Sequence, residues 1–214
     1  MKILAVDTAL GACSAVLLDS GRIAAHRFVF MDRGHAEALA PMVEGVMREA
    51  GIAFAALDRL AVTTGPGTFT GQRVGLAFMR GLRVALKKPL TGITSLAAMA
   101  EAAKAETGLV RAAVFHDARR EEFYAALGGE PMLMARNDVP RALLDFADDK
   151  PLALAGTAAP WVAENFAGGV LSSIRQPDAL WVARLAAAMA PDDAIPRPLY
   201  LRAPDAKLPT KVTP

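Results

Sequence analysis

Two short stretches of the chain hold residue types that could handle phosphate. Gly65 and Gly67 sit where a strand-like run (Leu60, Ala61, Val62) gives way to a long helical pattern, and Asp7-Thr8 closes the first strand. A glycine loop that opens a helix points free N–H groups and the positive end of the helix dipole at whatever lies in front of it. An aspartate at a strand end could face a metal beside such a cradle. The spacing favours something plainer. Gly65-x-Gly67 is followed by Gly71 rather than by a glycine three residues on, which misses the dinucleotide fingerprint, and no Gly-Lys-Ser/Thr follows to make a Walker loop. Asp7-Thr8 by itself reads better as a turn-forming Asx. A structural role is therefore expected for both, with Asp7, Thr8, Gly65 and Gly67 kept as vestigial candidates for cofactor binding.

Other chemistries lack their residues. A helical metal site would need a histidine four positions after His35, where Leu39 stands, and the remaining histidines are His26 and His116. No nucleophile elbow is present, and Cys13 is the single cysteine. No catalytic residue, no metal site and no bound cofactor are expected.

The loop also dictates the elements around it. Gly65 and Gly67 permit positive φ and close backbone approach, while Pro66 ends the strand. From Gly71 a helix restarts, with Thr68 or Thr70 as cap and Val74, Phe78, Leu82, Ala85 and Leu86 at helical spacing opposite Arg73, Arg80, Arg83 and Lys87. Its apolar and small residues cover more than the stripe of roughly 100° that one packing face requires. The pattern from His35 to Ala50 is similar, with Leu39, Val43, Val46 and Met47 on one face, Ala38, Met42 and Gly45 on an adjoining one, and Pro41 bending its start. Two such helices in succession point to a subunit interface. Its expected residues are His35, Leu39, Met42, Gly45, Gly71, Gly75, Phe78 and Leu82, with Gly71 and Gly75 admitting another backbone. Charge is uneven here too: residues 59–100 carry +6 and residues 32–58 carry −3.

At 214 residues and 53% hydrophobic content the chain can bury a real core, and the net charge of +2 does not announce nucleic acid. No apolar run approaches the roughly 18 residues of a membrane span, the start lacks a secretory pattern, and one cysteine suits a reducing cytoplasm. Three opening strands in a meander, with Asp7-Thr8 at the first corner, resemble the beginning of an actin-like ATPase fold. After Thr107-Gly108 a new sheet is expected, with a hairpin around residues 117–121, helices near 139–146, 159–166 and 178–190, a strand at 152–155, and Trp161 and Trp181 in its core. The division is thus 1–105 and 106–214. The proline-containing tail from Pro196, net +3, is expected to be solvated.

Five blocks together resemble the bacterial TsaB (YeaZ) family over nearly the whole chain. They are Ile3-Leu4-Ala5-Val6-Asp7-Thr8, His35-Ala36-Glu37-x-Leu39-x-Pro41, Gly65-Pro66-Gly67-Thr68-Phe69-Thr70-Gly71-x-Arg73-x-Gly75-Leu76, Asp117-Ala118-Arg119-Arg120-x-Glu122-x-Tyr124 and Pro198-x-Tyr200-Leu201-Arg202. The resemblance implies an α/β actin-like (ASKHA, RNase H-like) fold in two subdomains. It also implies a non-catalytic part in making threonylcarbamoyladenosine beside the anticodon of tRNA. In that pathway a related subunit, TsaD, carries the metal and transfers the threonylcarbamoyl group, and a small ATPase, TsaE, joins the complex. The chain would then bind and activate TsaD, meet tRNA through the complex, and have the option of a homodimer when alone. The competing class is an ATPase or kinase built on Asp7 and the Gly65–Gly67 loop, against which stands the lack of a second phosphate-binding corner after Gly108.

Overall fold

The computed structural model describes residues 1–191 and 194–202. The first strand, β1 (Lys2–Asp7), is apolar on both faces because both are covered. It pairs antiparallel with β2 (Ala12–Asp19), which pairs antiparallel with β3 (Arg22–Phe30), as the opening meander requires. The chain then crosses through α1 (His35–Ala50) to β4 (Arg59–Gly65), parallel to β1, and through α2 (Phe69–Leu86) to β5 (Leu90–Thr94), parallel to β4. The sheet order is β3-β2-β1-β4-β5.

After α3 (Ser95–Thr107) the same plan is repeated. β6 (Ala112–Asp117), β7 (Glu122–Leu127) and β8 (Met132–Ala135) form a second antiparallel meander; α4 (Val139–Ala147) leads to β9 (Leu152–Ala155), and α5 (Ala159–Asn165) to β10 (Gly169–Leu171). With β9 parallel to β6, the order β10-β9-β6-β7-β8 is the first sheet's order repeated. This duplicated arrangement is the two-subdomain actin-like architecture. β8 and β10 were not legible beforehand, since runs of four and three residues are too short to carry an alternating signal.

Each sheet is covered on both faces. α1 and α2 lie side by side over one face of the first sheet, where Leu39, Val43, Val46, Leu76 and Met79 meet Leu4, Val6, Leu17, Leu60 and Val62. On the opposite face α6 (Ala179–Ala188) brings Ala179, Val182 and Ala183 onto Ile3, Ala5 and Val16. The helix that the sequence assigns to the second half therefore packs on the first sheet, and Trp181 goes with it, while Trp161 stays in the second core beside Phe123. α3 is apolar on two faces because it is shared: Ala98 faces the first sheet, and Leu96, Met99 and Ala103 face Val114 and Ala155 of the second. The expected boundary at residue 105 falls inside this helix.

The tail departs from expectation where it is described. Residues 194–202 cross the front of α2: the Leu199 amide donates to Thr64 O at 2.8 Å, Arg80 donates to Pro196 O, and Arg202 donates to Glu122 and to Ala118 O. Side-chain donors anchor the strap to both subdomains, so this part is not a free tail. Residues 203–214, with Asp205, Lys207 and Lys211, lie outside the described residues.

Arg59 shows how α6 is held. It is buried at the start of β4, and its guanidinium donates to Ala186 O and to Met189 O (2.7 Å to the latter) at the C-terminal end of α6, where Ala186 O also accepts from Met189 N. Arg59→Leu removes both bonds and leaves Met189 O without its buried donor. Its urea midpoint should fall by the equivalent of about 1–3 kcal/mol, with the slope of the transition unchanged.

Candidate functional site

The Gly65–Gly71 loop is folded onto the Asp7-Thr8 corner, and the contact is backbone against backbone. A Cβ on Gly67 would stand 2.2 Å from Ala9 O, and one on Gly71 would stand 2.2 Å from Thr8 O. Hydrogen bonds close the seam: Thr68 N donates to Ala9 O at 2.9 Å and Thr8 Oγ1 donates to Gly71 O at 2.7 Å. Thr68 caps α2, its Oγ1 accepting from Gly71 N at 3.0 Å. Gln72 reaches back to donate to Gly67 O, and Ser95 donates to Pro66 O at 2.6 Å. Gly65, at φ +103°, takes a conformation that favours glycine, with Gln72 against it.

The four vestigial candidates Asp7, Thr8, Gly65 and Gly67 are thus brought together, but they meet one another. Asp7 is fully buried; its Oδ1 accepts from Thr63 Oγ1 at 2.5 Å and from Ala9 N at 3.2 Å, while Oδ2 has no hydrogen-bond partner among the described residues. Burial pushes its carboxyl up to about 7 against the lowering pull of those two bonds, with the nearby Asp178 adding to the rise. A desolvated carboxyl that half-holds its proton at neutral pH is poorly suited to ligate magnesium. Cys13 is likewise quiet, its thiol pushed up to about 11 chiefly by burial.

The repeated topology exposes a position that the linear sequence concealed. Asp117 ends β6 as Asp7 ends β1, so the second corner does carry an aspartate. No Gly-Gly follows it to mark the turn. The chain turns instead through three successive left-handed residues, Arg119, Arg120 and Glu121, with φ of 64°, 58° and 57°. Asp117 is exposed and its Oδ1 accepts from Arg119 N at 2.7 Å, while Thr157 Oγ1 accepts from Asp117 N. Beside it His116 is buried and pushed down to about 4 by desolvation, which keeps it neutral.

The eight residues expected at a partner interface divide into two sets. His35, Leu39, Gly71 and Gly75 face inward: His35 Nε2 lies 3.0 Å from Leu10 O, Leu39 is in the first core, and a Cβ on Gly75 would stand 2.7 Å from Thr8 Oγ1. The close approach predicted for the two glycines is made to β1's own corner, so another subunit's backbone does not fit there. Met42, Gly45, Phe78 and Leu82 stay half-buried on the pair of helices, and a side chain added at Gly45 would meet open space. Val84, 73% exposed, adds to the uncovered apolar surface of α2.

A family model described as "TsaD: tRNA N6-adenosine threonylcarbamoyltransferase" matches residues 30–156. The tRNA threonylcarbamoyladenosine biosynthesis protein TsaB of Escherichia coli (strain K12) is 37% identical over 126 residues, 59% of this chain. That aligned stretch spans about half of the curated relative's length, 54%. Two solved structures are similar throughout. One, titled an uncharacterized protein with similarity to peptidase YEAZ from Pseudomonas aeruginosa, has TM-score 0.81 and 32% identity, covering 94% of this chain and 99% of that one. The other, YeaZ from Pseudomonas aeruginosa, has TM-score 0.73 and 30% identity, covering 87% and 91%.

The chain belongs to the TsaB/YeaZ family. In this TsaB/YeaZ chain the family-model match runs from the end of β3 to the end of β9, and so includes α1, α2, the closed glycine loop and the second corner.

The state of Asp7 leaves a mark on stability. Its folded-state value near 7 lies above the ordinary 3.8, so between those limits the folded chain binds more protons than the unfolded one and stability falls as pH rises. The loss is complete above about pH 7. Asp7→Asn keeps the acceptor at Oδ1 and cannot ionise. Relative to wild type it should gain stability progressively from pH 4 to pH 7, by up to roughly 4 kcal/mol for a separation of about three pH units. Urea midpoints of both proteins across that range check this, and parallel profiles would refute it.

Proposed function

We propose that this protein is a non-catalytic subunit in the formation of N6-threonylcarbamoyladenosine in tRNA, binding and activating a TsaD-like threonylcarbamoyltransferase. What carries the non-catalytic half is the closed corner. The loop that could have cradled phosphate is filled by the backbone of residues 8 and 9, and the Asp7 carboxyl behind it is buried. Similarity to the Escherichia coli TsaB protein and to the transferase family model supports the pathway.

The partner surface in this proposal is the outer side of α1 and α2, around Met42, Gly45, Phe78 and Leu82. These side chains are half-buried after the sheet and the neighbouring helix have covered what they can, and removing the remainder from water would favour association by roughly 25 cal/mol per Å². A specific interface there buries on the order of 800 Å² per partner. When the transferase subunit is absent, a second copy of the chain takes the same face. A TsaE-like ATPase joins the assembled pair, tRNA is met through the complex, and the setting is cytoplasmic.

Gly45→Arg is the direct test, because it adds a long charged stem to the outer face where the fold has room. Its melting temperature should stay close to wild type. Its affinity for the transferase subunit, by size exclusion and titration calorimetry, should drop at least tenfold, about 1.4 kcal/mol. In cells lacking the endogenous subunit, wild type should restore threonylcarbamoyladenosine in digested tRNA and the variant should not. Undiminished complex formation would move the interface elsewhere.

A further inference from the structure

The strap and the first turn of α2 build an exposed aromatic and cationic platform that has no part in the closed corner. Phe69 and Tyr200 are stacked, with ring centroids 5.5 Å apart and planes 27° from parallel. Both remain open to solvent, at 52% and 43% exposure. Arg73 lies over the Phe69 ring at 3.5 Å and its Nε donates to Tyr200 Oη at 3.0 Å. Two half-exposed rings held flat by a guanidinium are unusual for a free surface, since each ring leaves apolar area in water.

Further arginines follow the same strip. Arg197 is exposed between Pro196 and Pro198. At the other end of the strap Arg202 grips Ala118 O and Glu122, which brings the Arg119-Arg120 turn beside it. That turn is held in left-handed backbone at three non-glycine residues, each a costly conformation for an L-residue. The acids nearby are engaged: Glu122 with Arg202, Glu121 with Arg136, and Asp117 with the Arg119 amide.

We propose that this strip is a contact for single-stranded RNA, in which an unpaired base extends the Phe69–Tyr200 stack and Arg197 and Arg119 take flanking phosphates. The occupant is argued from charge: the exposed cations Arg197 and Arg119 flank the stacked rings, and a phosphate chain that carries one base onto the rings is complementary to both. Stacking on aromatic faces combined with arginine contacts to the backbone is how unpaired RNA bases are held. The inference rests on the proposed role in tRNA modification for its choice of RNA, and gives the chain a direct contact where that role needs only an indirect one.

The test is fluorescence anisotropy of the full chain, alone and with the transferase subunit, using a 17-nucleotide anticodon stem-loop RNA and a fully paired duplex of equal length as probes. Tyr200→Ala should weaken binding to the stem-loop about tenfold or more, and Tyr200→Phe should stay within about threefold of wild type. Arg197→Ala and Arg119→Ala, both at exposed positions, should each weaken binding and reduce the slope of log affinity against log salt by about 0.7. Equal affinity for the duplex, or a Tyr200→Ala protein that binds as wild type, would overturn the inference. So would a Tyr200→Ala protein that keeps its RNA affinity but no longer captures the transferase subunit, since the platform would then be a protein contact. Loss of RNA binding with the transferase complex intact supports the platform. Loss of the complex in Gly45→Arg with RNA binding intact bears on the proposed function alone.

Discussion

The fold depends on one contact between backbones, where the Gly65–Gly71 loop rests on residues 7–9. No side chain could be interposed there: the carbonyls of Thr8 and Ala9 already stand where Cβ atoms on Gly71 and Gly67 would lie. From that contact follow the direction of α2, which starts against the end of β1, and the burial of Asp7 beneath it. It also decides which side of α2 is left over. With its glycine face turned to the corner and Leu76 and Met79 in the core, the helix leaves Phe78 and Leu82 half-buried at the edge of that core and Val84 exposed.

Much of the first subdomain was legible in the sequence because its signals are local. The meander, the strand–loop–helix unit and the two wide apolar helices are each written in turn residues and periodicity. The meaning of the wide arcs was not. A helical wheel records how much of a circumference is small or apolar and does not record what covers it, so Gly71 and Gly75 looked the same as Gly45. Two of those glycines receive β1's own corner and the third faces open space.

The second half was harder to read for a related reason. β8 and β10 are too short to show a period, and the correspondence of Asp117 with Asp7 lies in sheet order, which no linear motif expresses. α6 carries no label for the sheet it will join; its place on the first sheet is set by long-range partners, the Arg59 guanidinium at its end and the Asp178–His26 contact of 2.8 Å at its start. The strap is the same case. Prolines and charges suggested solvation, while Tyr200 and Arg202 dock through partners more than 80 residues distant in sequence.

The glycines of this loop serve internal packing. A matched pair of substitutions in one helix tests it: Gly71→Ala, whose methyl would strike Thr8 O, against Gly81→Ala, whose methyl meets nothing within 4 Å. Chemical denaturation of the two should diverge in sign. Gly81→Ala should gain up to about 1 kcal/mol, as alanine does over glycine in an open helix position. Gly71→Ala should lose about 3 kcal/mol or more, as overpacking against a fixed backbone does. If Gly71→Ala were as stable as Gly81→Ala, the loop would not be seated on the Thr8–Ala9 corner in solution.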